Sequence, residues 1–269
     1  MATVSLSGMD ELRGVTLSGL DLSGATWESL RLLDVRVEDC VFDDARLPDL
    51  RMWESRWTDC SMRGTRLNGG SMAGRTPVWR RRGSTQWAGV DFTGADLRDT
   101  AHGGELYTGC DFSHARLESV DFSDARHVRS RFAGVLREVF FYRRAPQSSR
   151  LRPVNEMRDV DLTAARLTDC SFFGLDLASA RLPSAALHVI ALGKVPVARR
   201  VLALMTSTGT LESMIGLRVA MEYWIEEGPD TPTAWGIADR ASLGESDEER
   251  NRALALVERA QRESAPIPR

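Results

Sequence analysis

The chain has 269 residues, a formal net charge of -3 at pH 7 and a composition that is 42% hydrophobic. Such a composition can bury a large interior and is not that of a disordered chain. No apolar run approaches the roughly 18–20 residues that a membrane span needs, and the first residues lack a secretory signal pattern, so we expect a cytoplasmic protein.

A large apolar residue recurs every five positions from Leu12 to Leu187, at positions whose numbers end in 2 or 7. We expect this register to continue without a slip. A smaller residue two positions earlier forms a companion series. A period of five fits neither a flat strand nor a helix. It predicts a short edge with two inward residues, then a corner, and stacked edges of this kind build a solenoid.

All four cysteines, Cys40, Cys60, Cys110 and Cys170, fall on the companion series. No pair of them has the short spacing of a zinc site or a redox motif. We therefore expect buried, inert thiols that act as small apolar residues, which suits a reducing cytoplasm.

The segment Ala95-Asp96-Leu97-Arg98-Asp99, with close matches at 115–117, 120–122 and 165–167, resembles the repeat of the pentapeptide-repeat family. The resemblance covers about residues 10–187. It implies an all-β solenoid, a right-handed quadrilateral β-helix with about twenty residues per coil. Residues twenty apart would then stack inside the coil. The predicted core ladder consists of Phe92, Phe112, Phe132, Leu97, Leu117, Phe122, Leu162, Leu167 and Phe172.

Three stretches depart from the repeat, near 76–86, 100–106 and 143–156. Pro77 and Arg82 occupy inward positions in the first stretch, and Gln147 and Arg152 do so in the third. Such residues are costly in a narrow apolar core, so we expect protruding loops, which are either functional or tolerated insertions.

After Leu187 the repeat ends and helical spacing begins, which predicts a β-helix at 1–187 and an α-helical capping or dimerisation domain at 188–269. Helices are expected at 184–192, between Pro196 and Gly209, and from an N-cap at Thr210. A further short segment is expected around Trp235, and a capping box at 246–249 should open the last helix. The candidate dimer surface consists of Met214, Leu217, Met221, Tyr223 and Trp224.

Members of the family of the Qnr and MfpA type imitate duplex DNA and bind bacterial DNA gyrase or topoisomerase IV, which they protect from quinolones or related poisons. The resemblance therefore implies antibiotic resistance or self-immunity. Residues 91–124 are rich in aspartate and lie between two arginine-rich stretches. The candidate partner surface consists of Asp91, Asp96, Asp99, Asp111, Asp121, Asp124, Arg80, Arg81, Arg82, Arg143 and Arg144.

A generic protein-interaction scaffold, acting through the loops and the helical domain, is the alternative. The sequence contains no phosphate loop and no His-Glu-x-x-His motif. We therefore predict a non-enzymatic protein with no catalytic residues, no cofactor, no metal and no direct nucleic-acid binding. A homodimer is expected.

Overall fold

A computed structural model describes residues 11–72, 84–143, 154–226 and 234–264. The strands of the repeat region are short, and most of them hold three residues. In chain order they are β1 (Glu11–Arg13), β2 (Thr16–Ser18), β3 (Arg31–Leu33), β4 (Arg36–Glu38), β5 (Arg51–Trp53), β6 (Arg56–Thr58), β7 (Gln86–Ala88), β8 (Leu106–Thr108), β9 (Asp111–Ser113), β10 (Leu117–Glu118), β11 (Arg126–Val128), β12 (Arg131–Arg137), β13 (Met157–Arg158) and β14 (Asp161–Thr168).

Parallel pairing joins each segment of this region to the segment one coil later, and the usual step is twenty residues. Three-, four- and seven-stranded parallel sheets result, and isolated parallel bridges continue the same step where no strand is formed. One pair from each of four columns is Leu12–Leu32, Leu17–Val37, Asp21–Val41 and Thr26–Arg46. The backbone therefore has four sides, and one coil takes twenty residues.

The corners of the coil lie at residues with positive φ. Asp34, Asp39, Asp44, Asp49, Glu54 and Asp59 are six successive corners, five residues apart, with φ of 51–58°. The left-handed region is strained for most side chains, whereas glycine adopts it freely and aspartate tolerates it because its carboxylate can bond to nearby backbone. Glycine or aspartate at positions ending in 4 or 9 is thus the corner signal, which the apolar repeat alone does not include.

Aromatic rings stack inside the coil between residues that pair in consecutive coils. Phe112 lies with its ring centroid 4.9 Å from that of Phe92 and 4.8 Å from that of Phe132, nearly parallel to both. Trp57 and Trp87 stack at 5.0 Å on a second side. The remaining ladder residues, Leu97, Leu117, Phe122, Leu162, Leu167 and Phe172, are also buried in the core of the coil.

The register slips by one residue at β12, contrary to the expectation of an unbroken repeat, and the following coil restores it. Leu117 pairs with Leu136 and Asp121 with Phe140, a step of nineteen residues. The seven-residue strand β12 continues through the corner position at Gly134, which keeps a positive φ of 91°. Leu136 and Phe141 consequently become the buried residues in place of positions 137 and 142.

The predicted interruption near 100–106 is wrong. Ala101 pairs with both Ser71 and Asp121, and Gln86 pairs with Leu106, so the coil is continuous there. His102, which suggested the break, takes the inward position and is only 1% exposed. A histidine fits in this inward position because its two ring nitrogens form hydrogen bonds with the hydroxyl groups of Thr100 and Tyr107.

The other two predicted interruptions fall largely outside the described residues, which omit 73–83 and 144–153. The pairing across each is longer than one ordinary coil. Trp57 pairs with Trp87, and His127 with Met157, both steps of thirty residues. An addition of ten residues preserves the five-residue phase at these two pairs. On the side of β12 the step from Leu136 to Leu167 is thirty-one residues, which cancels the earlier slip, so the apolar pattern resumes in register.

The last bridge of the coil joins Asp161 to Arg181, and Leu187, expected to lie inside, is exposed. The following elements are β15 (His188–Leu192), α1 (Lys194–Thr208), α2 (Ile215–Glu226), β16 (Trp235–Asp239), a 3₁₀ helix (Arg240–Leu243) and α3 (Asp247–Ser264). The helix expected at 184–192 is wrong because residues 188–192 pair antiparallel with residues 235–239 as a two-stranded sheet.

The structure confirms two of the predicted helix boundaries, the end of α1 and the start of α3, and corrects the start of α2. Helix α1 ends at Gly209, which is left-handed as a C-cap should be. Helix α2 begins at Ile215, later than the N-cap expected at Thr210. The capping box before α3 is confirmed. The Ser246 hydroxyl accepts a hydrogen bond from the Glu249 amide at 3.2 Å, and the Glu249 carboxylate accepts one from the Ser246 amide at 3.3 Å.

The predicted dimer surface is wrong at four of its five residues. Met214, Leu217, Met221 and Trp224 are at most 5% exposed and form a core with residues of α1, α3 and the two-stranded sheet. Their apolar side chains pack within the chain, so they are not available for contact with a second copy of the protein. Only Tyr223 is exposed, at 41%.

Candidate interaction surfaces

One side of the coil is more acidic than the other three. Its outward residues come from the column that begins at Asp21, and within the described coils carboxylates outnumber arginines most clearly there. Arg63, Arg131 and Arg181 lie on the same side. The acidic face, as we call it, consists of Asp21, Asp43, Asp44, Asp91, Asp111 and Asp161.

Aspartates of the acidic face bond to the turn that follows them. The Oδ1 atoms of Asp91 and Asp111 accept hydrogen bonds from the backbone amides of Thr93 and Ser113, both at 2.8 Å. Asp91 and Asp111 are direct neighbours in the parallel pairing, so they are separated by about the inter-strand spacing of ~4.8 Å. The second carboxylate oxygen of Asp91 lies 3.5 Å from a guanidinium nitrogen of Arg63.

The two ends of the acidic face carry carboxylates whose charge is stabilised. Hydrogen bonds from Ser23 lower the pKa of Asp21. Partial burial acts to raise the pKa of Asp161, but hydrogen bonds from Thr163 and the positive charge of Arg181 outweigh it and lower that pKa. Both groups are therefore ionised at neutral pH.

Asp96 and Asp99, predicted for the same surface, lie on an adjacent side of the coil. The Asp96 carboxylate bonds to Arg98 at 2.8 Å and to Arg116 at 3.1 Å, and its side chain is only 10% exposed. The hydrogen bonds from Arg98 lower the pKa of Asp96. The charge of Asp96 is therefore balanced by arginines of the same chain. Asp99 lies at an exposed corner with φ of 56°.

Asp121 and Asp124 belong to the side that begins at Glu11. Asp121 is exposed and accepts a hydrogen bond from the Ser123 amide at 2.8 Å, and Asp124 is buried. The aspartate-rich segment 91–124 therefore wraps around the coil and does not form one surface. Sequence proximity misleads here because five residues turn the chain to the next side.

Arg143 is exposed, and Arg80, Arg81, Arg82 and Arg144 lie outside the described residues. Sequence reasoning missed a different basic feature. Arginines stack in direct register on the three other sides, in the pairs Arg31–Arg51, Arg36–Arg56 and Arg46–Arg66. The twenty-residue spacing of arginine was the signal that could have revealed these ladders.

A cluster of titratable groups lies inside the coil. The Tyr107 hydroxyl donates to the Glu105 carboxylate at 2.7 Å and lies 2.6 Å from Nδ1 of His102. The His127 ring stacks on Tyr107 at 5.0 Å, and neither of its ring nitrogens has a hydrogen-bond partner among the residues that the structure describes. Burial, with a smaller effect from His102, lowers the pKa of His127 to about 3. These groups are sealed in the core and no substrate can reach them.

The four cysteines are free and buried, as the repeat predicts. Burial raises the pKa of the Cys60 thiol to about 11, and that of Cys110 and of Cys170 to about 12. Since the thiolate is the reactive form, these thiols are chemically quiet at neutral pH.

Within residues 11–72, 84–143, 154–226 and 234–264, no group of three or more histidine, cysteine or acidic side chains could hold a metal ion. No helix in the described part of the chain has the length and hydropathy needed to cross a membrane.

No family model matches the chain, and no curated protein matches it either. Among solved structures it is similar to a trypsin-treated variant of QnrB1, a plasmid-mediated fluoroquinolone resistance protein, with 16% identity over 65% of this chain and 83% of that one, and a TM-score of 0.39. It is similar to HetL of Nostoc sp. strain PCC 7120 with 17% identity over 64% and 84% and a TM-score of 0.18. It is also similar to Rfr23 of Cyanothece 51142 with 10% identity over 49% and 87% and a TM-score of 0.28.

These likenesses are too distant to transfer an activity. The chain's own residues carry the assignment of its class: an apolar residue every five positions, left-handed corners between them, and parallel pairing at a twenty-residue step on four sides. This repeat and this architecture are those of the pentapeptide-repeat fold, which the chain resembles.

Proposed function

We propose that this chain is a non-enzymatic binding protein whose acidic face imitates the phosphate backbone of DNA toward a type II topoisomerase, DNA gyrase or topoisomerase IV, and protects that enzyme from inhibitors. The supporting observation is the line of aspartates on one side of the coil. Duplex DNA presents about one negative charge per 1.7 Å of its axis, and a protein that replaces it needs carboxylates along its length.

The charges of the acidic face are not required by the turns that hold them. Asparagine at position 91 or 111 could accept the same bond from the amide of Thr93 or Ser113 through its side-chain oxygen. Like charges directly opposite each other in a sheet are destabilising. Asp91 and Asp111 therefore repel each other, and Arg63, which lies 3.5 Å from Asp91, offsets part of that repulsion.

The test is a supercoiling assay with DNA gyrase, with and without a quinolone, in the presence of the purified protein. We expect the protein to inhibit gyrase or to protect it from the quinolone at micromolar concentration. An absence of binding, inhibition and protection would contradict the proposal. The double variant Asp91→Asn and Asp111→Asn should need about tenfold more protein for the same effect, since charge complementarity is lost.

Asp121→Asn is the matched control for this assay. Asp121 makes the same 2.8 Å bond to the amide two residues later but lies on another side of the coil. It should behave as the unaltered protein. Equal losses in the control and the double variant would show that overall charge, and not the acidic face, determines the effect.

An adaptor that binds other proteins through the helical region is the second candidate. The observation that favours it is the exposed apolar side of α2, where Ile215 is 57% exposed and Val219 is 54% exposed. Exposed apolar surface of this kind often marks a contact with another protein. A protein that gave no effect on gyrase but retained partners through α2 would support this reading.

We further propose that the protein is a homodimer, with Ile215 at the contact in place of the buried residues first expected. Sedimentation of the full chain, compared with Ile215→Arg, tests this. A dimer that the variant dissociates supports the assignment, whereas a monomeric unaltered protein rules it out.

We also infer that residues 1–187 form a right-handed solenoid, since connections between parallel strands are almost always right-handed, and that residues 188–269 form a separate capping domain. A cytoplasmic location is favoured by the four free, buried cysteines.

A further inference from the structure

A cleft of about 500 Å³ lies between helix α2 and the last coils. It is distinct from the acidic face, because the coil residues that line it come from a different side. Phe140 and Leu167 of the coil form one wall, and Val219, Tyr223 and Trp224 of α2 form the other. The volume falls within the range of roughly 300–1,000 Å³ that is typical of small-molecule sites.

The α2 wall of the cleft includes two apolar side chains that are exposed to solvent. Val219 is 54% exposed and Tyr223 is 41% exposed, one helical turn apart on the same side of α2. Trp224 is buried behind them, with one side in the core of the helical region. Two aromatic residues at the walls suit a flat apolar body.

The charged groups at the cleft are carboxylates. Glu138, Asp169 and Asp239 line it, and no lysine or arginine does so among the residues that the structure describes. Asp239 is already engaged, because its carboxylate accepts a bond from Thr168 at 3.2 Å and lies 3.7 Å from Arg166. The negative charge available to a ligand therefore comes from the other two groups.

Glu138 and Asp169 occupy equivalent corners in neighbouring coils, and both have a φ of 52°. Their side chains therefore project outward one coil apart. Glu138 accepts one hydrogen bond, from the Ser119 hydroxyl at 2.8 Å, through Oε2. Its other oxygen, Oε1, is directed to no described donor. A cation at the mouth of the cleft would meet both carboxylates.

We infer that this cleft binds a small organic cation, an amine or guanidinium carried on a flat aromatic or aliphatic body. The apolar walls would hold the body, while Glu138 and Asp169 would pair with the charge and the Tyr223 ring would add a cation–π contact. An anion of the same shape would be rejected, because it would meet two uncompensated carboxylates. This site is independent of the proposed topoisomerase contact.

Isothermal titration of the full-length protein with naphthylmethylammonium and with naphthaleneacetate tests the inference. The two probes share their aromatic body and differ in the sign of their charge. We expect the cation to bind at least about tenfold more tightly than the anion, as complementary charge requires. Equal affinity for the two probes, or no binding of the cation, would overturn the inference.

The pair Val219→Arg and Val219→Glu locates the binding in this cleft. The side chain at 219 is exposed, so both variants should fold, which circular dichroism checks. Val219→Arg should abolish binding of the cation, and Val219→Glu should retain it. If the arginine variant bound the cation as well as the unaltered protein, the probe would be elsewhere and the cleft would be excluded.

Asp169→Asn should weaken binding of the cation by about threefold to tenfold through loss of one charge. Asp99→Asn is its control, because Asp99 is a corner with nearly the same φ, 56°, and does not line the cleft. Equal effects of the two substitutions would contradict a specific role for Asp169.

Discussion

The repeat region and the helical region are held together in different ways. In the coil, each segment pairs with segments one coil before and after it, and the same side-chain pattern returns at each step. In the helical region, β15 pairs with β16 across more than forty residues, and α1 packs on both α2 and α3. A side-chain pattern that repeats every coil can be predicted from the sequence, whereas contacts between distant segments that occur only once cannot.

Phe112→Asp should produce the largest effect and would show whether the coil is one cooperative unit. The side chain is fully buried between Phe92 and Phe132. Loss of the ring together with burial of an unpaired charge should cost more than about 5 kcal/mol. Hydrogen exchange should show lost protection in the neighbouring coils first.

Val135→Asp is the control for this substitution, since Val135 lies in the next coil and is 51% exposed. It should leave the unfolding midpoint almost unchanged. A Phe112→Asp protein with full thermal stability would mean that the inward assignment of this residue is wrong.

Gly236→Ala should destabilise the helical region and leave the coil folded. A Cβ at this position would lie 2.7 Å from Cε2 of Trp224 and 2.8 Å from Cβ of Lys194. Overpacking of this kind costs about 1–3 kcal/mol. Hydrogen exchange that distinguishes the two regions measures the effect.

Gly103→Ala is the comparison for Gly236→Ala, because the nearest atom to a Cβ there is the Ser123 carbonyl oxygen at 3.9 Å. We expect it to be nearly neutral. If Gly236→Ala removed protection from the coil to the same extent as from the helices, the two regions would form a single unfolding unit.

The difference between the regions also explains which predictions succeed. The inward series locates Phe92 and Leu117 correctly because an inward position depends only on the five-residue phase. The phase fails at Leu136 because the coil that includes strand β12 is one residue shorter there, and no local apolar pattern signals this. The helical preference of residues 188–192 is overridden by pairing with a strand that is distant in sequence.

The candidate surfaces show the same limit. Asp91 and Asp111 share a side because they are twenty residues apart, whereas Asp96 is five residues away and lies on another side. Composition along the chain therefore cannot define a surface. The apolar periodicity of α2 was visible, but which of its sides is covered depends on α1 and α3.

The buried histidine makes the stability of the coil depend on pH. The pKa of His127 is about 3 in the folded protein and near 6.5 when unfolded. Between these values the unfolded state binds the proton and the folded state does not, so stability is complete above the unfolded pKa and falls as pH decreases toward 3. The expected slope is at most about 1.4 kcal/mol per pH unit, measured by denaturant titration at several pH values.

His127→Phe tests this contribution directly, because it removes the titratable ring and keeps an aromatic side chain. Within the described part of the chain both ring nitrogens of His127 lack partners, so a phenyl ring loses no hydrogen bond there and can keep the stack on Tyr107. The variant should be at least as stable at neutral pH and should show a shallower acid slope. An unchanged slope would assign the acid sensitivity to other groups.

Ser246→Ala should have the smallest effect and should be confined to the helical region. It removes the hydroxyl that accepts from the Glu249 amide, while the Glu249 carboxylate can still accept from the amide at 246. Loss of an N-cap costs about 1 kcal/mol, and Ser246→Thr should restore most of it because threonine supplies the same acceptor. Since α3 packs on α1 and on β15, hydrogen exchange should show faster opening of these elements, with the coils unaffected. The first coils are stabilised by pairing with their own neighbours and, among the described residues, do not contact this helix cap. An equal loss of protection in those coils would therefore contradict the independence of the two regions.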